Sequence, residues 1–108
     1  MYRYRDTSGS TSGSLKAFKH IQKIGWLKYI KGYCYKGKYG VNHVAVLLRG
    51  DKGSMRISNF SWGYSGTGPR GLEKFLKDLN IDQNEIDRVL NVGWRGWDSV
   101  GEAWRINV

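Results

Sequence analysis

Residues 60–76 read FSWGYSGTGPRGLEKFL, a glycine-rich turn that leads directly into an amphipathic helix. A strand-like run over residues 54–60 precedes the turn. Apolar residues then recur at helical spacing, at Leu72, Phe75, Leu76 and Leu79. Pro69 suits the first turn of a helix, because the N–H group that proline lacks has no partner at that position. The stretch therefore predicts a strand, a tight turn and a helix in succession, as expected for an α+β domain.

The same turn has the features of an anion-binding site. Backbone N–H groups at a helix N-terminus lack intrahelical partners and lie at the positive end of the helix dipole. Arg70 adds a cation, and two aromatic rings could stack on a base. The candidate ligand-binding residues of the turn are Trp62, Tyr64, Ser65, Gly66, Thr67, Gly68, Arg70 and Gly71. The alternative is architectural, because glycines also permit positive φ angles and close packing of strand against helix.

A second loop, residues 93–98, reads GWRGWD. Its composition suits stacking on a base and pairing with a phosphate, since aromatic side chains stack on bases irrespective of sequence. Trp94, Arg95 and Trp97 are therefore added to the candidate ligand-binding residues. The alternative is a small satellite core beneath the C-terminal loop.

Three further strands are predicted around these loops. Residues 1–5 alternate aromatic and arginine side chains, as in an edge strand with one face inward. Residues 41–49 form the clearest strand, and their apolar density predicts burial on both faces. A turn at residues 50–53 connects this strand to the run over residues 54–60, and the two form a hairpin. Residues 103–108 are predicted to form the last strand, with Trp104 in the core.

Residues 7–14 read TSGSTSGS, a polar segment that could be a flexible linker or a loop capping the next element. Ser14 is predicted to cap a helix that opens at Leu15. We therefore predict an N-terminal strand and Gly/Ser-rich loop over residues 1–14, and a single small α+β domain over residues 15–108. In this domain an antiparallel sheet carries two or three helices packed on one face.

The net charge of +9 is concentrated in the first half of the chain. Residues 1–56 contain twelve Lys/Arg and two acids, whereas residues 57–108 contain six Lys/Arg and seven acids. A basic field of this kind attracts polyanions, including nucleic acid. The lysines predicted to contact phosphates in that case are Lys16, Lys19, Lys23, Lys28, Lys31, Lys36 and Lys38. The alternative is a solvated lysine surface that keeps a small protein soluble.

Several functional classes are disfavoured by the composition. The chain has no run of about 20 apolar residues, so we expect no contact with a membrane interior. Its N-terminus lacks the apolar stretch of a signal peptide, which favours a cytoplasmic location. Cys34, His20 and His43 are too few soft ligands for a closed zinc site. Neither histidine has a sequence neighbour suited to act as its catalytic partner. We therefore expect no catalytic residue, no metal and no cofactor.

The block FSWGYSGTGP at residues 60–69, the Leu-rich helix after it and the strand at residues 104–106 resemble a small uncharacterised family of phage and prokaryotic proteins. Members share a motif like F-x-W-G-Y-x-G-[ST]-G-P before a helix. The resemblance covers roughly residues 43–106, and the chain departs from the pattern at Ser65, where glycine is usual, and in its basic residues 1–40. The resemblance implies a phage or mobile-element origin and, through it, a role against host defence.

The leading hypothesis is a non-enzymatic protein that binds a nucleotide or nucleotide-derived signal and sequesters it. Phosphate would rest on the glycine-rich turn beside Arg70, and the base would lie against the aromatic side chains. One alternative is a basic nucleic-acid-binding protein, and another is a direct protein inhibitor of a host defence effector. Residues 26–39, rich in aromatic side chains, could supply the interface of a homo-oligomer.

Overall fold

A five-stranded sheet with helices on one side is the framework of the computed structural model, which describes residues 1–93 and 100–108. The strands are β1 (Tyr2–Arg5), β2 (Leu27–Lys36), β3 (Asn42–Gly50), β4 (Gly53–Ile57) and β5 (Gly101–Asn107). Their order in the sheet is β1-β4-β3-β2-β5, and only the pairing of β1 with β4 is parallel. The predicted α+β class is confirmed, with a sheet that is mostly antiparallel.

The helices are α1 (Thr11–Leu15), a 3₁₀ helix (Lys16–Ile24), α2 (Thr67–Asp78) and α3 (Gln83–Leu90). The predicted start of the first helix at Leu15 is wrong, because Ser10 and not Ser14 is its N-cap. The Ser10 side chain accepts a hydrogen bond from the Gly13 N–H at 3.0 Å. None of the helices in the described ranges is long and apolar enough to cross a membrane.

The polar segment of residues 7–14 is tied to the rest of the domain by Asp6. This carboxylate is only 3% exposed. It accepts hydrogen bonds from the hydroxyl of Ser14, from the N–H groups of Ser8 (2.9 Å) and Ser58 (3.2 Å), and from the Asn59 amide (3.3 Å). Burial alone would raise the pKa of Asp6, but these hydrogen bonds to the ionised form outweigh it and lower the pKa. The segment is therefore part of the fold and not a linker.

The core lies between the sheet and the helices. Its strand residues are Ile30, Val46, Leu48, Met55, Ile57, Trp104 and Ile106, and its helical residues are Ala17, Ile24, Leu72, Phe75, Leu76, Ile86 and Val89. Phe60 and Trp62, from the segment between β4 and α2, complete it. The prediction that Trp104 is a core residue is confirmed. One side of the sheet is thereby covered, and no helix within residues 1–93 and 100–108 packs on the other side.

Candidate functional site

A cleft of about 400 Å³ lies where the glycine-rich turn meets α2. The predicted residues Tyr64, Ser65, Gly66 and Arg70 line it. Glu73, one turn further along α2, also lines it and was not among the predicted ligand-binding residues. The structure therefore brings together half of the predicted residues of the turn.

The buried residues of the turn have an architectural role. Trp62 is 0% exposed, and its ring meets the ring of Trp104 edge-on at a centroid distance of 5.4 Å. A Cβ on Gly68 would lie 2.1 Å from Oγ of Ser61, and a Cβ on Gly71 would lie 3.0 Å from the Phe60 ring. These glycines are needed for close packing of α2 on the segment before it.

Three of the predicted ligand-binding residues lie outside the cleft, and their role in binding stays a prediction. Trp62, Gly68 and Gly71 are buried and do not line the cleft, because core packing uses the surfaces that a ligand would need. Thr67 is exposed and also lies outside the cleft lining. Residues Trp94, Arg95 and Trp97 lie outside the described residues.

The charges in the cleft nearly cancel. Arg70 is exposed and makes no ion pair within the described ranges. The carboxylate of Glu73 lines the same cleft and lies 3.7 Å from Nζ of Lys77. The Tyr64 hydroxyl lies 2.9 Å from the Ser61 hydroxyl, and its ring packs on Gly66. A phosphate in the cleft would thus meet one cation and one carboxylate.

The side of the sheet turned away from the helices, called the outer face below, is a second candidate site. Successive side chains of a strand point to opposite sides. On β2 the buried Ile30 points to the helices, so Tyr29 and Lys31 point outward. Side chains of paired residues point to the same side, which extends the outer face to the other strands. Its polar and aromatic residues are Arg3, Arg5, Tyr29, Lys31, Tyr33, Tyr35, His43, Arg49, Ser54, Arg56, Glu102, Arg105 and Asn107.

The prediction that residues 41–49 are buried on both faces is wrong for the outer side. His43 is exposed, and Leu47 and Arg49 are only half-buried. The reason is that helices pack on one side of the sheet only, and the apolar density of β3 does not reveal which side is left open.

Aromatic rings and cations alternate on the outer face. The guanidinium of Arg56 lies 4.6 Å from the ring centroid of Tyr35, and that of Arg105 lies 4.3 Å from the ring of Tyr29. Nζ of Lys31 is 5.8 Å from the ring of Tyr33. Such contacts between a cation and a π-system each contribute about 0.5–1 kcal/mol at an exposed site. The rings are thereby held in place on the floor of an open surface.

The outer face is strongly basic. It carries six cations, Arg3, Arg5, Lys31, Arg49, Arg56 and Arg105, and one carboxylate, Glu102. Arg105 donates to Glu102 at 2.8 Å, and this hydrogen bond, with the positive charges of Arg105 and Lys31, lowers the pKa of Glu102. The other five cations make no ion pair with any described residue. The outer face therefore has a formal charge of about +5, six cations against one carboxylate.

The seven predicted lysines do not share one surface. Lys16, Lys19 and Lys23 belong to the 3₁₀ helix, on the opposite side of the sheet. Lys28 and Lys36 lie near the two ends of β2, and Lys38 lies in the turn after it, which leaves Lys31 on the outer face. The arginines of the outer face were missed as binding residues. The alternation of arginine with tyrosine in residues 2–5 was the available signal.

Comparison with known proteins adds no functional assignment. The chain matches no family model, and no curated protein or solved structure is significantly similar to it. The resemblance of residues 60–69 to a phage and prokaryotic family therefore stays a prediction.

Proposed function

We propose that the protein binds nucleic acid on the outer face of its sheet. The observation that carries the proposal is the row of rings on β2 and β3 interleaved with six cations on a surface that none of the described helices covers. An uncovered sheet with aromatic side chains is a common platform for nucleic-acid bases. The cations would contact the phosphates that accompany those bases.

The lack of acidic partners around most of these cations, among the described residues, supports this function. Five of the six have no acidic partner among the described residues, so a phosphate would not have to displace a carboxylate. Arginine supplies five of the six, and its planar guanidinium can donate two parallel hydrogen bonds to a phosphate.

The distribution of charge favours the outer face over the cleft. Among the described residues, the cleft offers one cation without an ion pair, Arg70, beside the carboxylate of Glu73. The outer face offers a balance of about +5 with one carboxylate, which is already paired with Arg105. Attraction of a polyanion grows with the number of phosphates that are neutralised, so the extended surface is the stronger site.

The proposal predicts a steep dependence of affinity on salt. A fluorescein-labelled oligonucleotide would be titrated with the protein between about 50 and 200 mM salt, with anisotropy as the readout. If five or six phosphates are contacted, a plot of log K against log salt should have a slope of about −3 to −5. Absence of binding at about 50 mM salt, with protein near 100 μM, would exclude nucleic acid as the ligand. In that case an acidic protein surface becomes the expected partner.

A small phosphate-bearing ligand in the cleft is the second candidate. The specific observation is that Arg70 is exposed, makes no ion pair with a described residue and lines the cleft together with the half-exposed ring of Tyr64. A nucleotide could place a phosphate on Arg70 and its base on that ring. Sequestration of a nucleotide signal would be the corresponding function.

Native mass spectrometry with a nucleotide panel tests this second candidate. The panel contains cyclic di- and trinucleotides and ADP-ribose derivatives. We expect added mass at a fixed stoichiometry for the native chain and its loss in Arg70→Ala, because the cleft then lacks its free cation. Lys74→Ala is the matched control, since Lys74 lies one turn away and pairs with Asp78. No added mass, or equal loading of both variants, would exclude the cleft as a nucleotide site.

A further inference from the structure

The rings of the outer face contact one another. The ring centroids of Tyr33 and Tyr35 are 6.0 Å apart, and those of Tyr35 and His43 are 5.5 Å apart. A base can stack on such a ring only with a face that no neighbouring base covers. An unpaired strand can turn a base out of its stack and place it on a ring.

A duplex would leave these rings unused. Its bases are paired inside the helix, and only their edges are open in the grooves. The tyrosine rings are half-buried on the floor of a sheet, between longer arginine and lysine side chains. Phosphates of a duplex could reach the cations, but the faces of its bases could not reach the rings.

Of the three tyrosines of the outer face, Tyr33 has the most distant cation over its ring. Tyr29 and Tyr35 carry guanidinium groups at 4.3 and 4.6 Å. The cation nearest to Tyr33 is the ammonium of Lys31, at 5.8 Å, on a flexible stem that can turn towards a phosphate. The opposite partner of Tyr33 on β3 is Ala45, a side chain too small to cover a ring.

We propose that the outer face selects single-stranded nucleic acid, with Tyr33 as its principal stacking residue and the surrounding cations on the phosphates. The inference rests on the nucleic-acid function proposed above. The shared chemistry is an unpaired base linked to phosphate, which RNA and DNA both supply. The 2′-hydroxyl of RNA would distinguish the two sources if a polar side chain of the outer face contacts it.

Affinities for single and double strands test the inference in the full-length protein. The ligands are oligonucleotides of about 12 residues, as single-stranded DNA, single-stranded RNA and the matched DNA duplex, at one fixed salt concentration. We expect at least one of the single strands to bind about tenfold or more tightly than the duplex. We expect Tyr33→Leu to weaken single-strand binding by about 5- to 100-fold, the loss of one stacked base, and to leave duplex binding unchanged.

Tyr39→Leu is the matched control, because Tyr39 is 86% exposed in the turn between β2 and β3 and is not part of the outer face. It should bind as the native chain does. Equal or tighter duplex binding by the native chain would overturn the inference while nucleic-acid binding stands. Equal single-strand affinities of the Tyr33 and Tyr39 variants would also overturn the inference. If no oligonucleotide binds, the proposed function itself fails. The affinities of the native chain for single strands and for the duplex test the inference even if Tyr33→Leu does not fold.

Discussion

Reversal of two arginines, Arg3→Glu with Arg49→Glu, should weaken oligonucleotide binding by about 100-fold at low salt. These residues flank Ser54 on the outer face, since both are register partners of Ser54. The double change lowers the charge of the outer face from about +5 to about +1 and removes two phosphate contacts. Neither arginine has an ion pair among the described residues, so the fold should tolerate the change. Anisotropy titration at about 50 mM salt measures the effect.

The control for this experiment changes the net charge of the chain equally on the other side of the sheet. Lys16→Glu with Lys19→Glu alters two exposed residues of the 3₁₀ helix. We expect a loss of only a few-fold, from the weaker long-range field that salt screens. The Arg3/Arg49 variant should also show a slope of log K against log salt that is about two units shallower. Equal losses in both double variants would mean that binding follows net charge and that the outer face is not the site.

Trp62→Ala should lower the free energy of unfolding by about 3–5 kcal/mol. Trp62 is 0% exposed and packs edge-on against Trp104, so truncation leaves a cavity between the turn and the sheet. A domain of this size has only about 5–15 kcal/mol of stability, so the variant should retain little of it. Urea unfolding followed by far-UV circular dichroism measures the loss. The slope of the unfolding free energy against urea concentration should equal that of the native chain if the denatured state is unchanged.

Trp26→Ala is the matched control for the core position. Trp26 is 83% exposed at the start of β2, and its truncation should change stability by no more than about 0.5 kcal/mol. The contrast separates a core tryptophan from a surface one within the same chain. If the two variants unfold at the same urea concentration, Trp62 is not a core residue, and its predicted role in stacking on a ligand would regain support.

Local features of the sequence were sufficient to predict much of the fold. The helical spacing of Leu72, Phe75 and Leu76 predicted α2, and all three residues are in the core. The clearest predicted strand, at residues 41–49, is β3, displaced by one residue. These predictions succeed because helix and strand periods are set by neighbouring residues, which a single sequence displays directly.

Which aromatic ring of the glycine-rich turn is exposed depends on the tertiary structure. Trp62 and Tyr64 are two residues apart, and both were predicted to contact a ligand. In the fold, Trp62 is buried against Trp104, a residue 42 positions later by the chain numbering. Tyr64 is 40% exposed and lines the cleft. Which of two neighbouring aromatic side chains is buried depends on a distant partner, and local spacing carries no information about it.

Local sequence patterns were enough to predict the basic character of the chain, the strand–turn–helix unit and the α+β class. The place where the charge is concentrated depends on the tertiary structure. Arg3 and Arg49 come together because β1 pairs with β4 in parallel across more than 40 intervening residues. The alternation of each strand is visible locally, but the side left uncovered depends on where the helices pack. That placement follows from burial of the largest apolar surface by the whole chain, which no single segment specifies.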